Sequence, residues 1–147
     1  MTTLFNQHQL SLEQAASFLF GGKAIFTIKS EVTGKHFTYK ITRNKRADNE
    51  MYFVSLMTGP SNEANYTFFA TIFGKDNYRH GRKSTISQDA QGTRAFRWFL
   101  NNLKTNTIRN QVSVFHEGRC GCCGKRLTTP VSVELGFGPE CSKRMGL

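Results

Sequence analysis

Lys23-Ala24-Ile25-Phe26-Thr27-Ile28-Lys29, then Val32-Thr33-Gly34-Lys35, then His36-Phe37-Thr38-Tyr39-Lys40-Ile41-Thr42 is the stretch that sets the fold class. Ala24, Phe26 and Ile28 alternate with Ile25, Thr27 and Lys29. After the Gly34 turn, Phe37, Tyr39 and Ile41 alternate with His36, Thr38, Lys40 and Thr42. A period of two on both sides of a glycine turn predicts two antiparallel strands with one core face and one wet face. Working outward, Ser11 and Gln14 form a capping-box pair ahead of Leu12, Ala15, Ala16, Leu19 and Phe20, and Gly21-Gly22 stops that helix. Met51–Met57 reads as a third strand. Asn65–Phe73 reads as a fourth, with Tyr66, Phe68, Ala70 and Ile72 opposite Phe69 and Phe73, so that both faces are covered and the strand is central. Lys83–Ile86 is a short edge strand, and Ser87 caps a second helix from Gln88 to about Lys104 with Phe96, Phe99, Leu100 and Leu103 on its apolar side. The expected fold is α+β: an antiparallel sheet of about four to five strands packed with two helices, plus a small C-terminal zinc-knuckle module.

The knuckle rests on the cysteines. The chain has 147 residues, and its four cysteines are Cys120, Cys122, Cys123 and Cys141. Cys120-x-x-Cys123 followed by Gly124 has the spacing of a tight turn that presents two sulfurs and points backbone N–H groups at them. Pro139 can start a short helix that carries Cys141 in its first turn, where the helix N-terminus favours a thiolate. Three Cys and one His form an accepted tetrahedral zinc set. His116 is the expected fourth ligand, because Cys122 and Cys123 as adjacent ligands would strain the loop. The metal set is therefore His116, Cys120, Cys123 and Cys141, the cofactor structural Zn2+, and Cys122 a free thiol.

The run His116-Glu117-Gly118-Arg119-Cys120-Gly121-Cys122-Cys123-Gly124, closing on Gly136-Phe137-Gly138-Pro139-Glu140-Cys141, resembles the C-terminal cysteine motif of a family of uncharacterised proteins of phage and other mobile-element genomes. That resemblance implies zinc and a mobile-element origin, and it carries no activity. In the family motif the position of Cys122 is variable, which agrees with leaving it out of the metal set.

Composition points to a partner. The formal net charge is +10, and residues 74–109 carry eight Lys/Arg against two Asp/Glu. Such an excess favours polyanions, with nucleic acid the commonest. Trp98 falls on the polar side of its helix with Arg94 and Arg97, an arrangement suited to stacking bases between phosphate-binding cations. The expected nucleic-acid contacts are Arg79, Arg82, Lys83, Arg94, Arg97, Trp98, Arg119, Lys125 and Arg126. Few base-edge readers stand out, so binding to DNA or RNA is expected to be mostly independent of sequence. The alternative is a module that binds and inhibits a host protein, marked by an apolar surface around Phe137 and Trp98. No phosphate loop, paired-carboxylate motif or Ser/His/Asp spacing speaks for an enzyme. No basic-then-apolar leader and no apolar run near the ~18 residues of a membrane span is present, so the expected location is the host cytoplasm, with no membrane contact. The chain divides into a flexible N-terminus at 1–9, a basic α+β domain at 10–105, a linker at 106–113 and a zinc-binding module at 114–147.

Overall fold

A computed structural model describes residues 8–44, 50–59, 65–74, 77–103 and 111–146. The fold is α+β, built on an antiparallel sheet of seven strands. In chain order these are β1 (Gln9–Leu10), β2 (Lys23–Ser30), β3 (His36–Arg43), β4 (Met51–Met57), β5 (Tyr66–Phe73), β6 (Asn77–His80) and β7 (Val112–His116). Four helices accompany them: α1 (Leu12–Leu19), α2 (Gln91–Leu103), α3 (Pro130–Leu135) and α4 (Pro139–Arg144). The spatial order is β1-β7-β2-β3-β4-β5-β6.

The hairpin reading holds at β2 and β3, which pair from Lys23↔Thr42 to Lys29↔His36 around Gly34 at φ 78°. At α1, Ser11 and Gln14 close both hydrogen bonds of the capping box, and the helix ends before Gly21-Gly22. The buried side is continuous across the sheet. Leu10, Val114, Ile28, Phe26, Tyr39, Ile41, Val54 and Ile72 lie in register on it. The helices pack on this side. Phe18 of α1 meets His116 at 5.8 Å, and Phe96 of α2 meets Tyr39 at 5.1 Å and Phe69 at 5.9 Å. The Tyr39 hydroxyl donates to the Gly92 carbonyl at 2.6 Å, tying α2 to the centre of the sheet.

The sheet has more strands than the expected four to five, and each addition has a cause. β6 occupies 77–80 instead of 83–86, because Tyr78 pairs with Ile72 and packs on Phe96, whereas Ser84 closes a turn by donating to the Phe68 carbonyl. α2 starts at Gln91 and not at Gln88, since the Ser87 hydroxyl accepts from the Asp89 N–H and closes a turn first. Lys104 lies outside the described residues. β5 is an interior strand, flanked by β4 and β6, but it is not covered on both faces: a bulge between Val54 and Ser55 gives β5 an extra residue, Phe69, so Phe69 and Ala70 are both buried and Phe68 faces outward. α3 was not expected, although Thr129 as N-cap, Pro130 at the start and Gly136 at φ 80° mark its ends.

β7 changes the domain picture. It lies between β1 and β2, so Val112 and Ser113, expected at the end of a linker, are sheet residues, and a boundary at 114 would cut a strand. Of the rest of that linker, Gln111 is a turn residue and 106–110 lies outside the described residues, as does 1–7 of the expected flexible N-terminus. His8 is held by its Nδ1 donating to the His116 carbonyl at 3.1 Å. No helix among the described residues is long and apolar enough to cross a membrane.

Candidate functional site

The cysteine loop follows β7 directly. Residues 119 and 126 pair as an isolated antiparallel bridge, Cys120 N–H donates to the Lys125 carbonyl at 2.8 Å, and Gly124 N–H donates to the Cys120 carbonyl at 2.9 Å. Gly124 sits at φ 80°, a conformation that only glycine adopts freely, so the turn after Cys123 depends on it. The N–H groups of Cys122 and Cys123 point at the Cys120 sulfur, at 3.4 and 3.5 Å. Helix α4 brings Cys141 to the same point. The Sγ atoms of Cys120, Cys123 and Cys141 all lie within 4.8 Å of one another, with Cys120 and Cys141 buried.

Their acidities fit a shared cation. Burial opposes ionisation of Cys120, but N–H groups of Cys123, Gly138 and Cys122 outweigh it and bring the thiol down to about 7. Cys123 and Cys141 go the other way, pushed up first by burial and then by the neighbouring sulfur groups, while the Arg144 guanidinium, 3.3 Å from the Cys141 sulfur, partly offsets the rise. A bound cation makes three thiolates compatible.

His116 is not part of this cluster, which corrects the expected ligand set. Its ring is 2 % exposed, stacks on His8 at 4.7 Å, accepts from the Gly118 N–H at Nδ1 (2.9 Å) and donates from Nε2 to the Val133 carbonyl. Both nitrogens are engaged in holding β7 to the loop and to α3, so neither is left for a metal. Cys122 is half-buried and lies outside the three-sulfur group, although its thiol interacts with that of Cys141.

The loop is built into the core of the sheet. Lys23 N–H donates to the Gly121 carbonyl, Gly121 N–H donates to the Gly136 carbonyl, and a Cβ on Gly121 would lie 2.7 Å from the Phe18 ring. Phe137, 1 % exposed, packs on Phe18 at 5.8 Å.

The cations expected at one basic face separate into three groups. Around β6, Arg79, Arg82 and Lys83 are exposed, and Arg97 reaches over from α2 to place its guanidinium 4.9 Å above the Tyr78 ring. Arg94 and Trp98 line a different place, a groove of about 630 Å³ between α2 and the β2–β3 hairpin that also includes Lys35 and Phe37. The expected grouping of Arg97 with Trp98 therefore does not form. Beside the cysteine loop, Lys125 and Arg126 are exposed, and Arg119 is half-buried with its guanidinium donating to the Gly124 carbonyl at 3.3 Å, a role in the loop itself.

Comparison with known proteins bears on the loop alone. Residues 113–146 match the model of a family of unknown function (DUF6011), a span that takes in β7 from its second residue, all four cysteines and both short helices. No curated protein and no solved structure matches the chain.

Proposed function

We propose that this chain is a nucleic-acid-binding accessory protein of a phage or other mobile element, and that its cysteine cluster holds a structural zinc ion. The observation that carries the binding reading is the cationic edge of the sheet, where Arg79, Arg82 and Lys83 are exposed on and just after β6, and Arg97 of α2 lies over the Tyr78 ring on the helix side of the same strand. Exposed arginine on a sheet edge is suited to phosphate. The groove at Trp98 and Arg94 offers a second surface of the same chemistry.

Zinc is the metal that fits. Soft thiolates in a compact set favour zinc, copper(I) or iron–sulfur clusters, and the N–H groups at the Cys120 sulfur favour its thiolate. Cys120, Cys123 and Cys141 supply three ligands. The ion would tie α4 to the loop, a structural task. The resemblance of the motif to proteins of mobile-element genomes supports the proposed origin. The other expected partner, a host protein, would have met Phe137 and Trp98 at one apolar surface. Phe137 is buried and Trp98 is exposed, so the two do not share one surface, and Trp98 with Val32 in its groove is where such a partner would meet the chain.

Fluorescence anisotropy with labelled single-stranded and duplex DNA and RNA tests the reading. Affinity should fall steeply with salt. Replacing Arg79, Arg82 and Arg97 together by Ala should reduce the slope of log K against log salt by roughly 0.7 for each phosphate of a single strand that is no longer neutralised. Affinity independent of salt would refute it.

A further inference from the structure

The face of the sheet that the helices leave alone carries large rings where an antiparallel strand ordinarily presents polar side chains to water. Phe53 on β4 lies diagonal to two residues of β5, since Ser55 pairs with Phe68 and Met51 with Phe73. Phe68 and Phe73 are 41 % and 38 % exposed, and Phe53 meets Phe68 edge to face at 6.0 Å. The bulge at Phe69 is what turns Phe68 outward. Diagonal neighbours across strands are separated by roughly 7–8 Å, so the three rings form a zigzag row along the β4–β5 pair.

Cations border this row on both sides. Lys40 of β3 pairs with Ser55 and holds its Nζ 5.6 Å from the centre of the Tyr66 ring, and Arg79 of β6 pairs with Thr71, the residue opposite Phe53. Among the described residues, the carboxylates of Glu117 and Glu31 reach this face and are engaged: Glu117 accepts from Thr27, and Glu31 accepts from Ser113. The Tyr66 hydroxyl is buried with no hydrogen-bond partner among the described residues. Burial, and after it the Glu117 charge, pushes its pKa up to about 12, so it stays an O–H donor. An aromatic row with flanking positive charge and a spare donor is suited to unpaired bases on a phosphate chain. A duplex keeps its base faces stacked inside and cannot use the rings.

Resting on the nucleic-acid reading above, we propose that this open face is a stacking platform for single-stranded nucleic acid, with bases on Phe68, Phe53 and Phe73 and phosphates on Lys40 and Arg79. The cationic edge at β6 then leads the strand onto the platform through Arg79. This moves the main stacking role from Trp98 to the opposite side of the sheet.

The test uses the full chain with its metal, labelled oligothymidylate, oligouridylate and a duplex of the same length, and the variant F68A/F73A. Both rings are already partly exposed, and a melt checks that the variant folds. The single strands should bind at least about tenfold more tightly than the duplex. The variant should bind single strands at least about tenfold more weakly, because two stacks are missing, with an unchanged salt slope because no charge is removed. If the parent binds single strands and the variant binds them equally well, the platform is overturned while the nucleic-acid reading stands. If the parent binds none of the probes, both fall. If the variant converts a dimer to a monomer and leaves binding unchanged, the face belongs to a second copy of the chain and the platform is overturned.

Discussion

His116 engages both ring nitrogens with backbone, and its place in the motif is structural: it sits where β7, the cysteine loop and α3 meet. Sequence spacing made it a reasonable ligand, since a histidine four residues before a knuckle is within reach of a metal. What spacing could not reveal is that the Val133 carbonyl arrives at Nε2, because that hydrogen bond depends on a helix seventeen residues away. The three sulfurs were legible, since each lies in a turn or helix start whose local signals are strong. Metal content should follow this division. Cys120→Ser, Cys123→Ser and Cys141→Ser should each lose bound zinc and destabilise the protein by on the order of 3 kcal/mol, roughly 10 °C in melting temperature at this chain length. Cys122→Ser should weaken zinc binding less, and His116→Gln should leave the stoichiometry unchanged. Elemental analysis of the five purified variants checks all of these, and a His116 variant without zinc would restore the histidine to the ligand set.

The same histidine sets a pH dependence. Burial lowers its pKa from 6.5, and the charge of His8 adds to that, against the Val133 hydrogen bond. A lowered value means that the folded state prefers the neutral ring. The stability this contributes is complete above the unfolded value and is lost as the pH falls through about 6.5 toward the folded value. His116→Gln should be less stable than the parent at neutral pH by about 1–3 kcal/mol, from a buried carbonyl and N–H left without partners. Its melting temperature should also fall less than the parent's between neutral and mildly acidic pH. Thiolate protonation acts on both proteins alike, so parallel curves would contradict the role given to the ring.

At the level of elements, strong local signals were enough for the β2–β3 hairpin and for α1, where alternation and a capping box agree with the tertiary structure. The failures fall where local pattern and packing part. β7 has only five residues, and its identity comes from pairing with β1 and β2, which lie some eighty or more residues earlier in the sequence. The face assignment on β5 failed at a single extra residue, because one bulge reverses every later alternation. α1 and the cysteine loop approach backbone to backbone, and this is testable. A Cβ on Gly21 would lie 2.6 Å from the Gly121 carbonyl oxygen and 2.9 Å from the Phe137 ring. Backbone cannot move aside as a flexible side chain can, so Gly21→Ala should cost about 1–3 kcal/mol, read as a lower melting temperature. Tyr39→Phe should cost a similar amount, about 1–3 kcal/mol, by leaving the Gly92 carbonyl without its donor.

Taken whole, the molecule has two sides with different work. One side holds the core, the helices and the cysteine cluster, and the other is an open sheet face bordered by cations. Because β7 feeds the loop directly and Lys23 bonds to Gly121, metal removal should loosen more than the last thirty-odd residues. Chelation should lower the melting temperature and raise hydrogen exchange first in β1 and β7, with β4 and β5 protected longest. Exchange rising only beyond residue 118 would mean that the loop is energetically separate. Charge was legible from composition, since a net +10 needs no fold. The aromatic row was not, because its rings come into line only when β4 and β5 pair across the bulge.

The most direct measurement is a backbone amide NMR titration of the zinc-loaded protein with oligothymidylate. The expected result is a set of shifts concentrated on β4, β5 and β6, with Phe53, Phe68, Phe73 and Arg79 among the largest, that shrinks as salt is raised. No shifts at any salt, or shifts confined to the cysteine loop, would contradict nucleic-acid binding at the open face.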